Sequence, residues 1–183
     1  MCSRFELNHP AREVAVRFGL ALPPNLPPPV VRPTDLALVI TAEGAKLARF
    51  GLAVSWSKQP LINARAETVA GKPSFRPLLG RRCLVPASLW VEWPGKVLTR
   101  LRPADHRIFA LAGLLGEDGF VLLTCTPAPA IAALHDRMPV VLAETAEAAW
   151  IDPARTFAEV EGALTPTAEV LEIENDRAPG LFD

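Results

Sequence analysis

Apolar residues recur along this chain in short runs separated by turn residues, a pattern that predicts strands more than helices. "LALVIT" (36–41) reads as a buried strand, "EG" (43–44) as a tight turn and "LARFGLAV" (47–54) as the returning strand. "RCLVP" (82–86), "SLWVEW" (88–93), "KVLTRLR" (96–102), "IFALAGLL" (108–115) and "FVLLTC" (120–125) predict further strands with short connections, and "AEVLEI" (168–173) alternates like a closing strand. Helical spacing is sparser. Asn8 reads as the cap of a helix through Leu20, with Pro10 in its first turn and Ala11, Val14 and Phe18 turned inward. "ETAEAAWI" (144–151) and "DPARTFAEVEGAL" (152–164) read as two more, the second capped by Asp152 with Pro153 in its first turn. Between these lies "LPPNLPPPVVRP" (22–33), whose prolines permit only extended or turn structure. It reads as a surface connector, because the residues before it are too few to fold alone. The pattern predicts an α+β fold: a mainly antiparallel, barrel-like β-sheet with peripheral helices, in one domain over 1–183.

Composition narrows the classes. Half of the 183 residues are hydrophobic, enough for a substantial core. No run approaches the roughly 18 apolar residues of a membrane span, and no basic segment leads an apolar one at the start, so neither a membrane nor a signal peptide is expected. The three cysteines, Cys2, Cys83 and Cys125, are odd in number and far apart. They suit a reducing cytoplasm better than a disulfide framework or a paired metal motif. Net charge is −1, but its distribution is bipolar. Residues 46–107 hold 12 Lys and Arg against 3 Asp and Glu, whereas residues 108–183 hold 3 Arg against 13 Asp and Glu. Either the chain presents a basic face to a partner, or the two halves interleave and neutralise each other.

Candidate chemistry concentrates in four short stretches. "MCSRF" puts Cys2 directly behind the initiator, so removal of Met1 gives a residue with a free α-amine and a thiol two carbons apart. "INARAET" (62–68) gathers Asn63, Arg65, Glu67 and Thr68. "WVEW" sets Glu92 between Trp90 and Trp93. A carboxylate beside an indole on one sheet face is a candidate for a raised pKa and acid–base work, or equally a surface glutamate over a snorkelling tryptophan. "LHDRMP" holds His135, Asp136 and Arg137; taken alone, such a histidine is more often packed or solvated than catalytic.

Together, "MCSRF", "INARAET", "RRCLVPASLWVEW" and "LHDRMPVVL" occur in the order and at about the spacing of the SOS-response-associated peptidase (SRAP) family, which shields abasic sites in single-stranded DNA. The resemblance runs from Cys2 to about Leu142, and "EIENDRAP" near the end is similar to the family's tail. It implies that Cys2 is the N-terminal nucleophile, that Asn63 holds its amine, that Glu92 is the acid–base carboxylate and that His135 is the active-site histidine. It also implies DNA contacts: Arg4, Arg65 and Arg137 to phosphates, Trp56 and Trp93 as aromatic lining, and Thr124 beside them. Two positions depart from the family's pattern: Ser3 stands where glycine is usual, and Val91 where an aromatic residue is usual.

The implied chemistry suits these residue types. An abasic sugar opens to an aldehyde, which only a neutral amine attacks. An α-amine has a pKa of about 7.7–8.0 against about 10.4 for lysine, roughly a 300-fold advantage in neutral fraction at pH 7. The resulting imine lies within reach of the same residue's thiol, whose attack closes a five-membered thiazolidine. Glu92 can relay the protons, Asn63 can orient the amine, and His135 can protonate the sugar oxygen or help reverse the link. Arginine forks suit phosphates, and indole faces stack on any base. The expected partner is single-stranded DNA carrying abasic sites, met by a cytoplasmic monomer without a cofactor or metal. Two other classes remain open from sequence: an N-terminal-nucleophile peptidase or amidase with the α-amine as its own base, and a non-covalent single-stranded DNA binder. A metal site built from Cys2, Cys83, Cys125 and His135 lacks any closely spaced ligand pair.

Overall fold

The computed structural model describes residues 2–176. In chain order its strands are β1 (Phe5–Glu6), β2 (Val30–Val31), β3 (Leu36–Thr41), β4 (Gly44–Phe50), β5 (Leu52–Val54), β6 (Ser57–Leu61), β7 (Asn63–Arg65), β8 (Arg82–Ala87), β9 (Leu89–Glu92), β10 (Thr99–Pro103), β11 (Phe109–Leu115), β12 (Gly119–Cys125), β13 (Met138–Pro139), β14 (Val141–Leu142) and β15 (Leu171–Asn175). The helices are α1 (Ala11–Arg17), α2 (Pro129–Ala132), α3 (Glu144–Ile151) and α4 (Phe157–Val160).

Five strands close a barrel in the order β12, β4, β3, β8, β11 and back to β12. Four of the five seams are antiparallel, as the short connections predict. The seam between β12 and β4 is parallel, and β7 also runs parallel to β12. Gly119 permits that closure: a Cβ there would stand 2.3 Å from the Gly51 carbonyl oxygen and 2.5 Å from that of Arg49. A second, antiparallel sheet in the order β15, β10, β9, β1, β2 covers one side of the barrel. Aromatic rings join the two layers. Phe5 meets Phe50 edge-on at 5.4 Å, Phe50 stacks on Phe120 at 5.3 Å, and Trp90 meets Phe109 edge-on at 5.9 Å. Strands β8, β11 and β12 are therefore buried along their whole length, which is why they read as unbroken apolar runs.

Several predicted boundaries move, each for a local reason. The run 47–54 is two strands, because Gly51 takes φ +119 with Pro60 where a side chain would go, and β5 leaves to pair with β6. Helix α1 starts after Pro10, not at Asn8, whose side-chain amide donates to Glu6 at 3.0 Å. The predicted helix over 152–164 shrinks to α4 and a following 3₁₀ turn. The carbonyls of Asp152 and Arg155, which a longer helix would use, instead accept hydrogen bonds from Arg82 Nη2 at 2.7 and 2.8 Å. Thr156 and Glu159 then form the capping box of α4. The tail motif is described only as far as Asp176; Arg177–Pro179 lie outside the described residues.

Part of the bipolar charge interleaves and neutralises. Arg100 and Arg102 on β10 pair with Asp176, Glu172 and Glu174 on or beside β15, and Arg107 pairs with Asp105, Glu144 and Glu169. Lys46, Lys58, Arg65, Lys72, Arg76 and Arg81 stay exposed on the rest of the basic segment. No helix among the described residues is long and apolar enough to cross a membrane.

Candidate active site

The site forms where the second sheet's β1 and β9 meet the barrel's β12 and its companion β7. Phe5 pairs with Trp90 and Glu6 with Leu89, so continuing that register sets Ser3 opposite Glu92 and Cys2 opposite Trp93. The Val91 amide donates to the Arg4 carbonyl at 2.9 Å and holds the strand's approach. Strand β7 brings the second wall. Ala64 turns inward and is buried, so Asn63 and Arg65 point the other way. Asn63 Nδ2 donates to the Cys2 carbonyl oxygen at 2.9 Å. Its Oδ1 is buried and has no hydrogen-bond partner among the described residues. The third wall is the loop after α2. Fully buried Ile131 anchors that helix, and its carbonyl accepts the His135 amide at 3.1 Å.

The four residues expected to carry chemistry are thereby brought together. Cys2 is completely buried, and its thiol donates weakly to the Arg4 carbonyl at 3.5 Å. Burial, with the Glu92 carboxylate nearby, pushes that thiol far above its ordinary value. Glu92 is 2 % exposed, and burial raises its pKa to about 7, with Asp136 adding to the rise. This excludes the surface-glutamate reading of "WVEW". His135 Nε2 lies 4.0 Å from Glu92 Oε2. Its Nδ1 accepts the Arg137 amide at 3.0 Å, which leaves the proton of the neutral ring on Nε2, facing Glu92. Asp136 Oδ1 stands 2.9 Å from the same Nδ1. Burial lowers the pKa of His135.

The residues expected at DNA are placed less uniformly. Arg65 is exposed beside Asn63, and Trp56 and Trp93 are 67 % and 41 % exposed. Arg4 is tied to Glu6, with Nη2 and Nε at 2.5 and 3.1 Å from Oε1. Arg137 is nearly buried: its Nη1 and Nη2 grip Glu67 at 2.8 and 2.7 Å, and Nη2 also reaches the Thr124 carbonyl at 2.6 Å. Thr124 is wholly buried and lies beneath Arg137, not at the surface. Two carboxylates given no role from sequence thus emerge here. Glu6 had a readable signal, since it shares a strand face with Arg4; Glu67 had none beyond its place in "INARAET". Ser3 has no left-handed φ, so serine is accommodated without strain, and Val91 is fully buried packing. Cys83 and Cys125 are core thiols pushed up to about 12 and about 11 by burial. Among the described residues no cluster of three or more His, Cys, Asp or Glu is placed to hold a metal ion.

A family model described as SOS response associated peptidase (SRAP) matches residues 1–175. Abasic site processing protein YoqW of Bacillus subtilis is 34% identical over 184 residues, covering 85% of this chain and 82% of its own. Abasic site processing protein YoaM of the same organism is likewise 34% identical, covering 85% and 81%. Among solved structures, a Bacteroides thetaiotaomicron protein superposes with TM-score 0.81 at 25% identity, covering 96% of this chain and 92% of its own. A Bordetella bronchiseptica protein superposes with TM-score 0.83 at 23% identity, covering 97% and 100%.

Proposed function

The chain belongs to the SOS response associated peptidase (SRAP) family, and from that premise we propose that it senses and shields abasic sites in single-stranded DNA by covalent capture on Cys2. Its curated relatives are named abasic site processing proteins, and a role in handling abasic-site DNA follows for this chain. The finer reading rests on one observation above all. Asn63 fixes the Cys2 backbone at 2.9 Å beside a buried carboxyl whose pKa is about 7.

The steps balance as follows. Loss of Met1 frees the Cys2 α-amine, for which the vacant Asn63 Oδ1 is an acceptor. The neutral amine adds to the sugar aldehyde and gives a carbinolamine. Glu92 donates the proton with which the hydroxyl leaves as water and takes back the proton on nitrogen, and a neutral imine forms. The Cys2 sulfur then bonds to the former aldehyde carbon while its proton passes to nitrogen, closing a thiazolidine. One water is lost overall and no redox change occurs. The His135 Nε2–H is the second proton source, for opening the sugar ring or for reversing the link. Arg65 suits a phosphate, and Trp56 and Trp93 suit stacked bases; the protein acts as a cytoplasmic monomer through one SRAP-like domain.

The thiol's environment favours capture over hydrolysis. A cysteine hydrolase needs a thiolate, and burial holds Cys2 protonated. Capture needs only a thiol that surrenders its proton as it adds. The test is incubation of the purified protein with a uracil-containing single-stranded oligonucleotide treated with uracil glycosylase. A denaturant-resistant adduct of protein plus DNA minus one water is expected, absent from Cys2→Ala and from a chain with one additional residue ahead of Cys2. Undiminished adduct from either variant overturns the reading.

A further inference from the structure

We propose that Glu67 is a positioning residue, gripping Arg137 so that the loop after α2 holds His135 in register with Glu92. The inference rests on the capture reading above and concerns how its proton relay is set. Glu67 accepts both Arg137 Nη groups, at 2.8 and 2.7 Å, from the turn that follows β7. Arg137 Nη2 also bonds the Thr124 carbonyl of β12 at 2.6 Å. The guanidinium is thus pinned between that turn and β12, with its side chain 10% exposed. A bidentate arginine–carboxylate pair fixes orientation as well as distance.

The consequence passes through the backbone. The Arg137 amide is the donor to His135 Nδ1 at 3.0 Å. Where Arg137 is held, that amide is held, and the neutral ring carries its proton on the nitrogen that faces Glu92. Among the described residues the ring also faces Glu92 from β9, 4.0 Å from Nε2, and Asp136 on the same loop, 2.9 Å from Nδ1, and the positive charge of the chain's terminal amine adds to the lowering of its pKa. Asp136 competes with the Arg137 amide, because a carboxylate at Nδ1 demands the proton there and turns Nε2 into an acceptor. Glu67 biases that competition from outside the reacting centre.

The experiment uses the full chain in wild-type, Glu67→Gln and Glu67→Asp forms. It measures the single-turnover rate of adduct formation against pH, the salt dependence of binding to an intact single-stranded oligonucleotide, and thermal melting. Glu67→Gln is expected to slow capture about tenfold or more, as misplaced catalytic groups do. The pH profile should also move upward, since a loosened loop hydrates His135 and relieves the burial that lowers it. Glu67→Asp should recover part of the rate, and the salt slope should stay at the wild-type value. Wild-type rate and pH profile in Glu67→Gln overturn the proposal. So does tighter binding with a salt slope steeper by about 0.7, which would make Glu67 a gate on a phosphate-binding Arg137. If Glu67→Gln melts below the assay temperature, Glu67→Asp decides alone by the same two readouts. Failure of the wild-type protein to form any adduct removes the capture reading itself, and this proposal with it.

Discussion

Glu92 Oε2 and His135 Nε2 face each other at 4.0 Å, yet their titrations move opposite to those of an ion pair. An ion pair lowers the acid and raises the base. Here burial raises Glu92 to about 7 and burial lowers His135. Near pH 7 Glu92 is therefore present as both carboxylic acid and carboxylate, beside an imidazole that burial keeps neutral, and can give or take one proton. That is the state a dehydration step at pH 7 requires.

Replacing Glu92 by Gln keeps the shape and removes the proton. Single-turnover adduct formation should slow by about 100-fold, the lower end of general acid–base contributions. The limb of the pH profile near 7 should vanish with it. A variant that keeps that limb would assign it to another group.

The same burial has a stability cost with a defined sign. Glu92 binds its proton more tightly folded than unfolded, so its contribution is complete below about 4.5 and is lost as pH rises through about 7. Wild-type protein should lose up to about 3 kcal/mol relative to Glu92→Gln across that window. Denaturant melts of the two proteins at pH 4.5 and pH 8 check it; parallel curves would mean that Glu92 is not raised.

Asn63 works on the terminal strand and not on the proton. Asn63→Ala loses the hydrogen bond to the Cys2 carbonyl and the Oδ1 acceptor for the freed amine, each worth about 1 kcal/mol, and should slow capture by about fivefold to thirtyfold. Asn63→Asp should be worse at equal size, because a carboxylate oxygen then faces the carbonyl that Nδ2 now serves. Rates measured at saturating DNA separate this from weakened binding.

How much of this was legible in the chain follows physical lines. The hairpin of β3 and β4, the buried runs β8, β11 and β12, and helix α3 were readable, because local periodicity and turns decide them. The parallel seam of β12 with β4 and β7 was not, since long-range closure leaves its mark only in glycines such as Gly119. The shortened C-terminal helix was hidden because Arg82, far away in sequence, takes its carbonyls. At the site, Cys2, Asn63, Glu92 and His135 were visible as motif positions. The state of Arg4 and Arg137 was not, because nothing in a sequence says that Glu6 and Glu67 already hold those cations.

That difference has a measurable consequence for DNA binding. Arg65 is exposed, whereas Arg4 is bonded to Glu6. Arg65→Ala should weaken binding to single-stranded DNA and flatten the dependence of log K on log salt by about 0.7, the loss of one phosphate contact. Arg4→Ala should change the slope less, since an arginine already paired with Glu6 gives up no phosphate contact when it is removed. Equal slope changes in both variants would show that Arg4 abandons Glu6 for phosphate.

The tryptophans divide in the same manner, by what surrounds them. Trp90 is fully buried against Phe109 and joins the second sheet to the barrel. Trp90→Ala should cost about 3–5 kcal/mol of stability and fail through misfolding. Trp56 at the β5–β6 turn and Trp93 beside Glu92 are 67 % and 41 % exposed, so truncating either removes little packing. Trp56→Ala and Trp93→Ala should melt like the wild type yet lose about 1–3 kcal/mol of affinity for single-stranded DNA, one stacked base each. Trp93→Ala carries a further expectation. Cys2 stands opposite it in the continued β1–β9 register, so loss of the indole should hydrate Glu92, bring its pKa back toward the ordinary carboxylate range and shift the capture profile to lower pH. Fluorescence titration with an intact oligonucleotide gives the affinities, and the adduct rate against pH gives the shift. Unchanged affinity in both variants would leave the DNA path to other residues, and an unmoved pH profile in Trp93→Ala would place the burial of Glu92 with Trp90 alone.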